Sequence, residues 1–295
     1  MENSLKTKTI LVTGGAGFIG SHLIEELLKD KQNRIISLDN YFTGSEKNHQ
    51  SGAEYIKGET KDIEKFIKTK PDIIYHLGEY SRVLTSFDDI ETVWRLNTQG
   101  TFAVLDYCRK NSVRLVYAGS STKFGEFDDK EDGKNQTPYA YFKATNTDLV
   151  NNYGKWFGLD YAITYFYNVY GGREIVDGKY ATLIGIFCDK YKKEEPLTVV
   201  SPGTQKRAFT HVEDTVRGII MVGGSGNGDG YCIGNGKEYS VLEIARMFGG
   251  DITMLSARKG DRNFSKIDTS KIKELGWSPK RDIKEYIEEF KKAVK

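Results

Sequence analysis

The stretch TILVTGGAGFIGSHLIEELL, residues 9–28, decides the fold. It begins as a short apolar run, of the kind buried on both faces of a parallel sheet. The run empties into Gly14, Gly17 and Gly20, spaced three apart, and then into the amphipathic helical pattern SHLIEELLKD (21–30). Glycines in such a place permit a tight turn, close approach of backbone to a pyrophosphate, and close packing of helix on sheet. Free N–H groups and the helix dipole then meet the anion. A glycine pattern alone is weak, but here a strand and a helix flank it. Asp39 closes the next strand, RIISLD (34–39), 19 residues beyond Gly20, near the roughly 20-residue spacing at which a carboxylate meets the adenosine ribose. An acid there repels a 2′-phosphate, and DNYFTGS (39–45) holds no arginine, so NAD is expected rather than NADP.

Working outward, DIIYHL (72–77), VRLVYAG (113–119) and YAITYF (161–166) repeat the buried-strand pattern, with helical VWRLNTQGTFAVLDYCRK (93–110) among them. Strand alternating with helix predicts an α/β fold, a doubly wound, Rossmann-like parallel sheet. Residues 1–175 are expected to form the dinucleotide-binding domain. Residues 176–295, looser and glycine-rich around GGSGNGDGYCIGNG (223–236), are expected to form a smaller mixed substrate domain, with the chain crossing between the two. Lys and Arg total 43 against 41 acids, a net +2, which gives no electrostatic footprint for nucleic acid. No apolar run has the length of a membrane span or the form of a secretion signal, and the cytoplasm is the expected location. Cys108, Cys188 and Cys232 form no CxxC, and His22, His49, His76 and His211 show no ligand spacing, so no metal is expected.

The chemistry is carried by PYAYFKATNTDLVNNYGKWFG (138–158). Pro138 suits the first turn of a helix. Helical spacing puts Tyr139 on the face of Lys143, four residues on, and points Tyr141 elsewhere. A phenol ordinarily ionises near 10, so a tyrosine that acts as a base near neutral pH needs about three units of help from nearby positive charge. Lys143 and an oxidised nicotinamide are two such cations. Upstream, VYAGSSTKFGE (116–126) is a strand ending in a hydroxyl-rich loop. Ligands of an open parallel sheet sit outside the carboxyl ends of its strands, so Ser120 is placed to bond a reacting oxygen and share its proton with the tyrosine.

Glycine loop, strand-end serine and Tyr-Lys helix, with TGGAGFIGSHL, LDNYFTGS, HLGEYSRV, NTQGT, SSTKFGE and PYAYFKA, resemble the extended short-chain dehydrogenases/reductases. The resemblance is to their NAD-dependent nucleotide-sugar epimerases/dehydratases of the UDP-glucose 4-epimerase kind. It implies Ser120, Tyr139 and Lys143 as the catalytic set. Gly14, Gly17, Phe18, Ile19, Gly20, Asp39, Asn40, Glu59, Thr60, Leu77, Gly78 and Asn97 would line the cofactor, with Lys143 also on its nicotinamide ribose. In FYNVYG (166–171) Asn168, and in GTQKRAFTHVEDTVRGI (203–219) Arg207, match contacts to a nucleotide-diphosphate sugar. ARKGDRNFSKIDTSKIKELGW (257–277) supplies Arg258 and Asp261 in the same way. A homodimer is implied by analogy with the family's helix pair.

The resemblance implies oxidation at C4 of the sugar as the shared first step. Dehydratases of the family follow the serine with acids, and decarboxylases keep a Glu in that loop. Here Ser121 and Thr122 stand there, neither a useful acid near neutral pH, and both are expected to face the substrate. A 4-epimerase working through a 4-keto intermediate is therefore expected. The alternatives are a 4,6-dehydratase, a decarboxylase, a 4-keto reductase or dehydrogenase and, remotely, a non-catalytic dinucleotide sensor. The chain departs from the family pattern at Gly78 and Glu79, where two alanines are usual. It departs again at Tyr165, in place of an arginine, and at Gly172 and Gly185, in place of prolines. Glu79 is expected beside the cleft, as a substrate contact or an additional acid.

Overall fold

A computed structural model describes residues 7–124, 135–256 and 267–294. Six strands come first: β1 (Lys8–Thr13), β2 (Asn33–Asp39), β3 (Ala53–Lys57), β4 (Ile73–His76), β5 (Arg114–Ser120) and β6 (Tyr161–Phe166). Later strands are β7 (Val169–Tyr170), β8 (Leu197–Val200), β9 (Lys206–Ala208), β10 (Thr210–His211), β11 (Gly228–Ile233), β12 (Glu238–Ser240) and β13 (Ile252–Leu255). Seven of them form one parallel sheet in the order β11-β6-β5-β4-β1-β2-β3. The order reverses between β1 and β4, and the crevice at such a reversal is where this kind of sheet binds its ligand.

The helices are α1 (Phe18–Leu27), α2 (Ile63–Phe66), α3 (Ile90–Val93), α4 (Gly100–Asn111) and α5 (Pro138–Phe157) in the first half. They continue as α6 (Leu183–Lys192), α7 (Val212–Ser225), α8 (Val241–Phe248), α9 (Ser270–Glu274) and α10 (Ile283–Val294). Alternation along the strands fills both faces of the sheet. Ile10 and Val12 pack with Leu23, Ile24 and Leu27 of α1 and with Val216, Ile219 and Val222 of α7. Leu11, Ile74 and Leu115 pack with Val104 and Leu105 of α4 and with Val150 and Tyr153 of α5. A separate cluster joins Ile184 and Phe187 of α6, Val199 of β8, Phe248 of α8 and Ile287 of α10 beyond the strand ends. No helix among the described residues is long and apolar enough to cross a membrane.

The sequence-predicted strands appear within one residue of their expected bounds, and α5 appears with its expected limits. Thr137 caps α5 by accepting from Ala140 N at 3.0 Å, Pro138 follows, and Gly158 ends it in the left-handed conformation at φ 66°, as helix start and stop chemistry requires. Two elements differ from expectation. β3 is an edge strand with no fully buried residue, so its sequence lacks the apolar run. The segment read as one helix from 93 to 110 contains a π-helical turn, Trp94–Gln99. Inside that turn Asn97 is fully buried. Its Oδ1 accepts from Tyr80 N at 2.7 Å and its Nδ2 donates to Tyr80 O at 3.1 Å.

A tight backbone approach lies where α1 leaves the glycine turn. A Cβ on Gly20 would stand 2.1 Å from the Gly14 carbonyl oxygen, a backbone atom that cannot swing aside. Gly20→Ala is therefore expected to destabilise the protein by about 1–3 kcal/mol and to weaken NAD binding by moving the turn. Thermal unfolding and NAD titration check both effects.

Candidate active site

A cleft of about 640 Å³ opens at the carboxyl ends of β1, β4 and β5. One wall is the glycine turn. Gly14 has φ 73°, and a Cβ there would meet the Gly78 backbone at 2.9 Å, so the β1 and β4 ends approach with no side chain between them. Gly17 is the N-cap of α1 and adds no side chain over the helix's first N–H groups. Asp39 Oδ2 accepts from Ala16 N at 2.9 Å and Oδ1 from Tyr41 N at 2.8 Å. Burial nevertheless holds its carboxyl above the usual range, and each oxygen retains a lone pair for a ribose hydroxyl. Bare backbone at a helix N-terminus, with a carboxylate at the next strand end, fits the dinucleotide NAD.

The opposite wall is α5. Tyr139 and Lys143 both line the cleft, at 9% and 3% exposure, whereas Tyr141 is 49% exposed on another face. Lys143 Nζ donates to Glu79 Oε2 and to Ala118 O, and sits 4.5 Å from the centroid of the Tyr117 ring. Glu79 Oε1 accepts from Thr101 Oγ1 at 2.7 Å, from Tyr117 OH at 3.1 Å and from Asn146 Nδ2 at 3.1 Å. Thr101 in turn meets His76 Nε2 at 3.0 Å, and His76 Nδ1 meets Thr13 Oγ1 at 2.7 Å. Because Thr101 spends its one proton on Glu79, His76 Nε2 must be the N–H donor to Thr101. Burial pushes the His76 imidazole down to about 4, so the ring is neutral near pH 7 and Nδ1 accepts from Thr13. Gly78 N donates to Thr13 Oγ1 at 3.0 Å. A single directed chain of hydrogen bonds thus runs from the Gly78 backbone beside the glycine turn, through Thr13, His76 and Thr101, to the carboxylate that holds Lys143.

A sequence profile of the NAD dependent epimerase/dehydratase family matches residues 10–234. The chain belongs to that family. It is 31% identical over 297 residues to UDP-glucuronic acid decarboxylase 6 of Arabidopsis thaliana, covering 94% of this chain and 85% of that protein. Among solved structures it is similar to UDP-glucose 4-epimerase of Thermotoga maritima with UDP-glucose, with a TM-score of 0.88 and 25% identity, covering 97% and 100% of the two chains. It is likewise similar to the UDP-glucose 4-epimerase of Thermus thermophilus in complex with NAD, with a TM-score of 0.85 and 26% identity, covering 97% and 99%.

The epimerase/dehydratase residues anticipated from sequence fall into four groups. Gly14, Gly17, Phe18, Ile19, Gly20, Asp39, Asn40, Leu77, Gly78, Tyr139, Lys143, Asn168 and Arg207 line the cleft. Ser120, Ser121 and Thr122 follow at the tip of β5, directly after the cleft-lining Ala118 and Gly119. Ser120 is 8% exposed and its Oγ lies 2.9 Å from Thr122 Oγ1. Others lie away from the cleft. Glu59 is paired with Arg95 and with Lys61 at 3.4 Å. Thr60 is buried, its Oγ1 only 2.3 Å from where a Cβ on Gly100 would stand, and Asn97 is committed to the Tyr80 backbone. Arg258 and Asp261 lie outside the described residues.

Glu79 borders the cleft, its side chain is 4% exposed and both oxygens are taken by protein donors, so in this structure it stands as the counter-ion of Lys143. Tyr165 is not among the residues that line the cleft. Its ring is fully buried, and its hydroxyl donates to Asp229 Oδ1 at 2.5 Å. Asp229 Oδ2 also takes Asn151 Nδ2 at 2.9 Å and pairs with Lys123 Nζ at 3.3 Å. The Phe124 ring packs edge-on against Tyr165 at 4.8 Å. The turn Ser121–Phe124 is therefore anchored from below.

Sequence reasoning missed Arg82 and Glu174, both on the cleft wall. Arg82 Nε donates to Tyr180 O at 2.7 Å and its Nη1 to Ser81 O at 3.0 Å. Glu174 accepts from Gly171 N at 2.9 Å and from Thr182 Oγ1. Burial pushes its carboxyl up to about 7. No motif marks either residue; Asn146 was missed as well, although its spacing three residues after Lys143 puts it on the same helical face.

For Glu174 the folded state holds a proton more tightly than the unfolded chain, so this group's contribution to stability falls as pH rises from about 4.5 to about 7. Glu174→Gln, compared with the natural protein in thermal unfolding at pH 5 and pH 8, is expected to gain relative stability at pH 8. An equal difference at both pH values would place Glu174's titration elsewhere.

Proposed function

We propose that the protein is a nucleotide-sugar 4-epimerase that keeps NAD bound through its cycle. The observation that carries this reading is the identity of the groups around Tyr139. A buried Tyr-Lys pair stands on the cleft wall, and neutral hydroxyls, Ser121 and Thr122, occupy the loop after Ser120.

Each chain residue has a role in that reading. Tyr139 takes the proton of the sugar's C4 hydroxyl and later returns it, while Ser120 bonds the same oxygen and steadies it as it becomes a carbonyl. Bound NAD supplies hydride acceptance and return at C4. Lys143 holds positive charge one helical turn from the phenol. Arg207, on the cleft wall at the far lobe, suits the diphosphate through its planar guanidinium, and Asn168 stands beside it on the same wall. Elimination or decarboxylation would call for an acid where Ser121 and Thr122 stand, so the 4-keto sugar is left to turn and take the hydride on its other face. UDP-glucose is the ligand of the Thermotoga maritima relative, which supports a UDP-sugar here.

Exposed apolar side chains stand on the segment 87–102 (Phe87, Ile90, Trp94 and Phe102) and on α5 (Tyr141 and Trp156), elements that pack against each other. Exposed apolar surface can mark association sites, which supports a homodimer through these helices. Three free, buried cysteines suit a reducing cytoplasm.

Incubation with UDP-, GDP-, CDP- and dTDP-sugars, followed by NMR, is expected to yield a C4 epimer with no net change in NAD. Release of water or CO₂ as the main reaction would sink the epimerase reading. Tyr139→Phe is expected to lower turnover about 10²–10⁴-fold with NAD binding retained, and Tyr141→Phe to change turnover little.

A further inference from the structure

We propose that Glu79 is a positioning residue for catalysis, the fixed counter-ion that aims Lys143 and sets the pH range in which Tyr139 works. The proposal rests on the reading that Tyr139 and Lys143 are the catalytic pair. Three observations carry it. The ion pair is sealed, with both side chains at 4% exposure, where a charge is tolerated only when paired and hydrogen-bonded. Glu79 is itself immobilised by Thr101, Tyr117 and Asn146, each from a different element. Lys143 gives two of its three N–H groups to Glu79 and Ala118 O, which leaves one for the cleft.

The charge arithmetic is simple because the neighbours are neutral. From the β4 end, His76 is uncharged above about pH 4. From β5, burial first and then Glu79 keep the Tyr117 phenol well above its usual range. From α4 and α5, Thr101 and Asn146 carry no charge. Tyr80 and Tyr180 pack in one cluster with Tyr139; burial holds both of these phenols above the usual range, and both donate to the Asp89 carboxylate at 2.9 Å. Arg82 lines the same cleft, and within the polar chain itself Glu79 and Lys143 are the charges. Removing the carboxylate charge leaves an uncompensated ammonium one turn from the phenol. An uncompensated cation favours the phenolate, so activity that needs the phenolate extends to lower pH. The directed chain from Gly78 through His76 adds a mechanical link, because the carboxylate is held in register with the strand end that carries the glycine cradle.

The experiment uses the full chain with NAD and two independent readouts. The first is thermal unfolding of Lys143→Met, Glu79→Gln and the double variant. Loss of Lys143 alone strands a buried carboxylate and is expected to lower the midpoint sharply, and adding Glu79→Gln is expected to recover at least half of that fall. The second is the pH profile of kcat/KM for the epimerised sugar. With Glu79→Gln its acid limb is expected to move to lower pH by about one unit. A double variant no more stable than Lys143→Met, or a Glu79→Gln profile of unchanged shape and uniformly lower height, would overturn the proposal. The stability arm needs no turnover, so it remains decisive if the epimerase reading itself fails.

Discussion

At the carboxyl ends of β1 and β4 two backbones pass so closely that neither Gly14 nor Gly78 has room for a side chain between them. That approach is the constraint on which the site depends. It brings the glycine turn beside the strand that carries His76, and lets α1 start with uncovered N–H groups over the cleft. Widening the gap by a methyl group would separate the dinucleotide cradle from the buried polar chain behind it. Close packing in an interior transmits such a shift rather than absorbing it.

Behind the cradle, the polar residues form a second layer with its own logic. Thr13, His76, Thr101, Glu79 and Lys143 each have a partner, and the direction of every hydrogen bond follows once Thr101 is known to donate to Glu79. A buried network of this kind is favourable only when complete. It ties three strands and two helices of the sheet to one ammonium group, so helix α5 is placed by polar contacts as well as by the apolar contacts of Val150 and Tyr153.

Much of this was legible in the sequence, for physical reasons that differ by element. The inner strands carry apolar runs because both their faces are covered, and α5 carries Thr, Pro and Gly signals at its ends. Tyr139 and Lys143 share a face because helical geometry is local. The π-helical turn at Trp94–Gln99 was not legible, since it is stabilised by a distant partner, the backbone of Tyr80. Glu79 was read as a residue beside the cleft. Its oxygens turn away because donors from residues 101, 117, 143 and 146 converge on it, and that convergence exists only in three dimensions. Glu174 and Arg82 carry no local signature at all.

The sheet's seventh strand has an implication for how the protein is made. β11 comes from residues 228–233 yet pairs with β6, residues 161–166, and α7 just before it covers the face against which α1 also packs. While a ribosome is still producing the residues between them, β6 is a sheet edge with an apolar face exposed, the arrangement most prone to wrong pairing. The sheet therefore cannot finish folding as soon as its first six strands are synthesised. It waits for a strand that arrives after β7, β8, β9 and β10, and a fragment ending near residue 175 would carry an unfinished sheet.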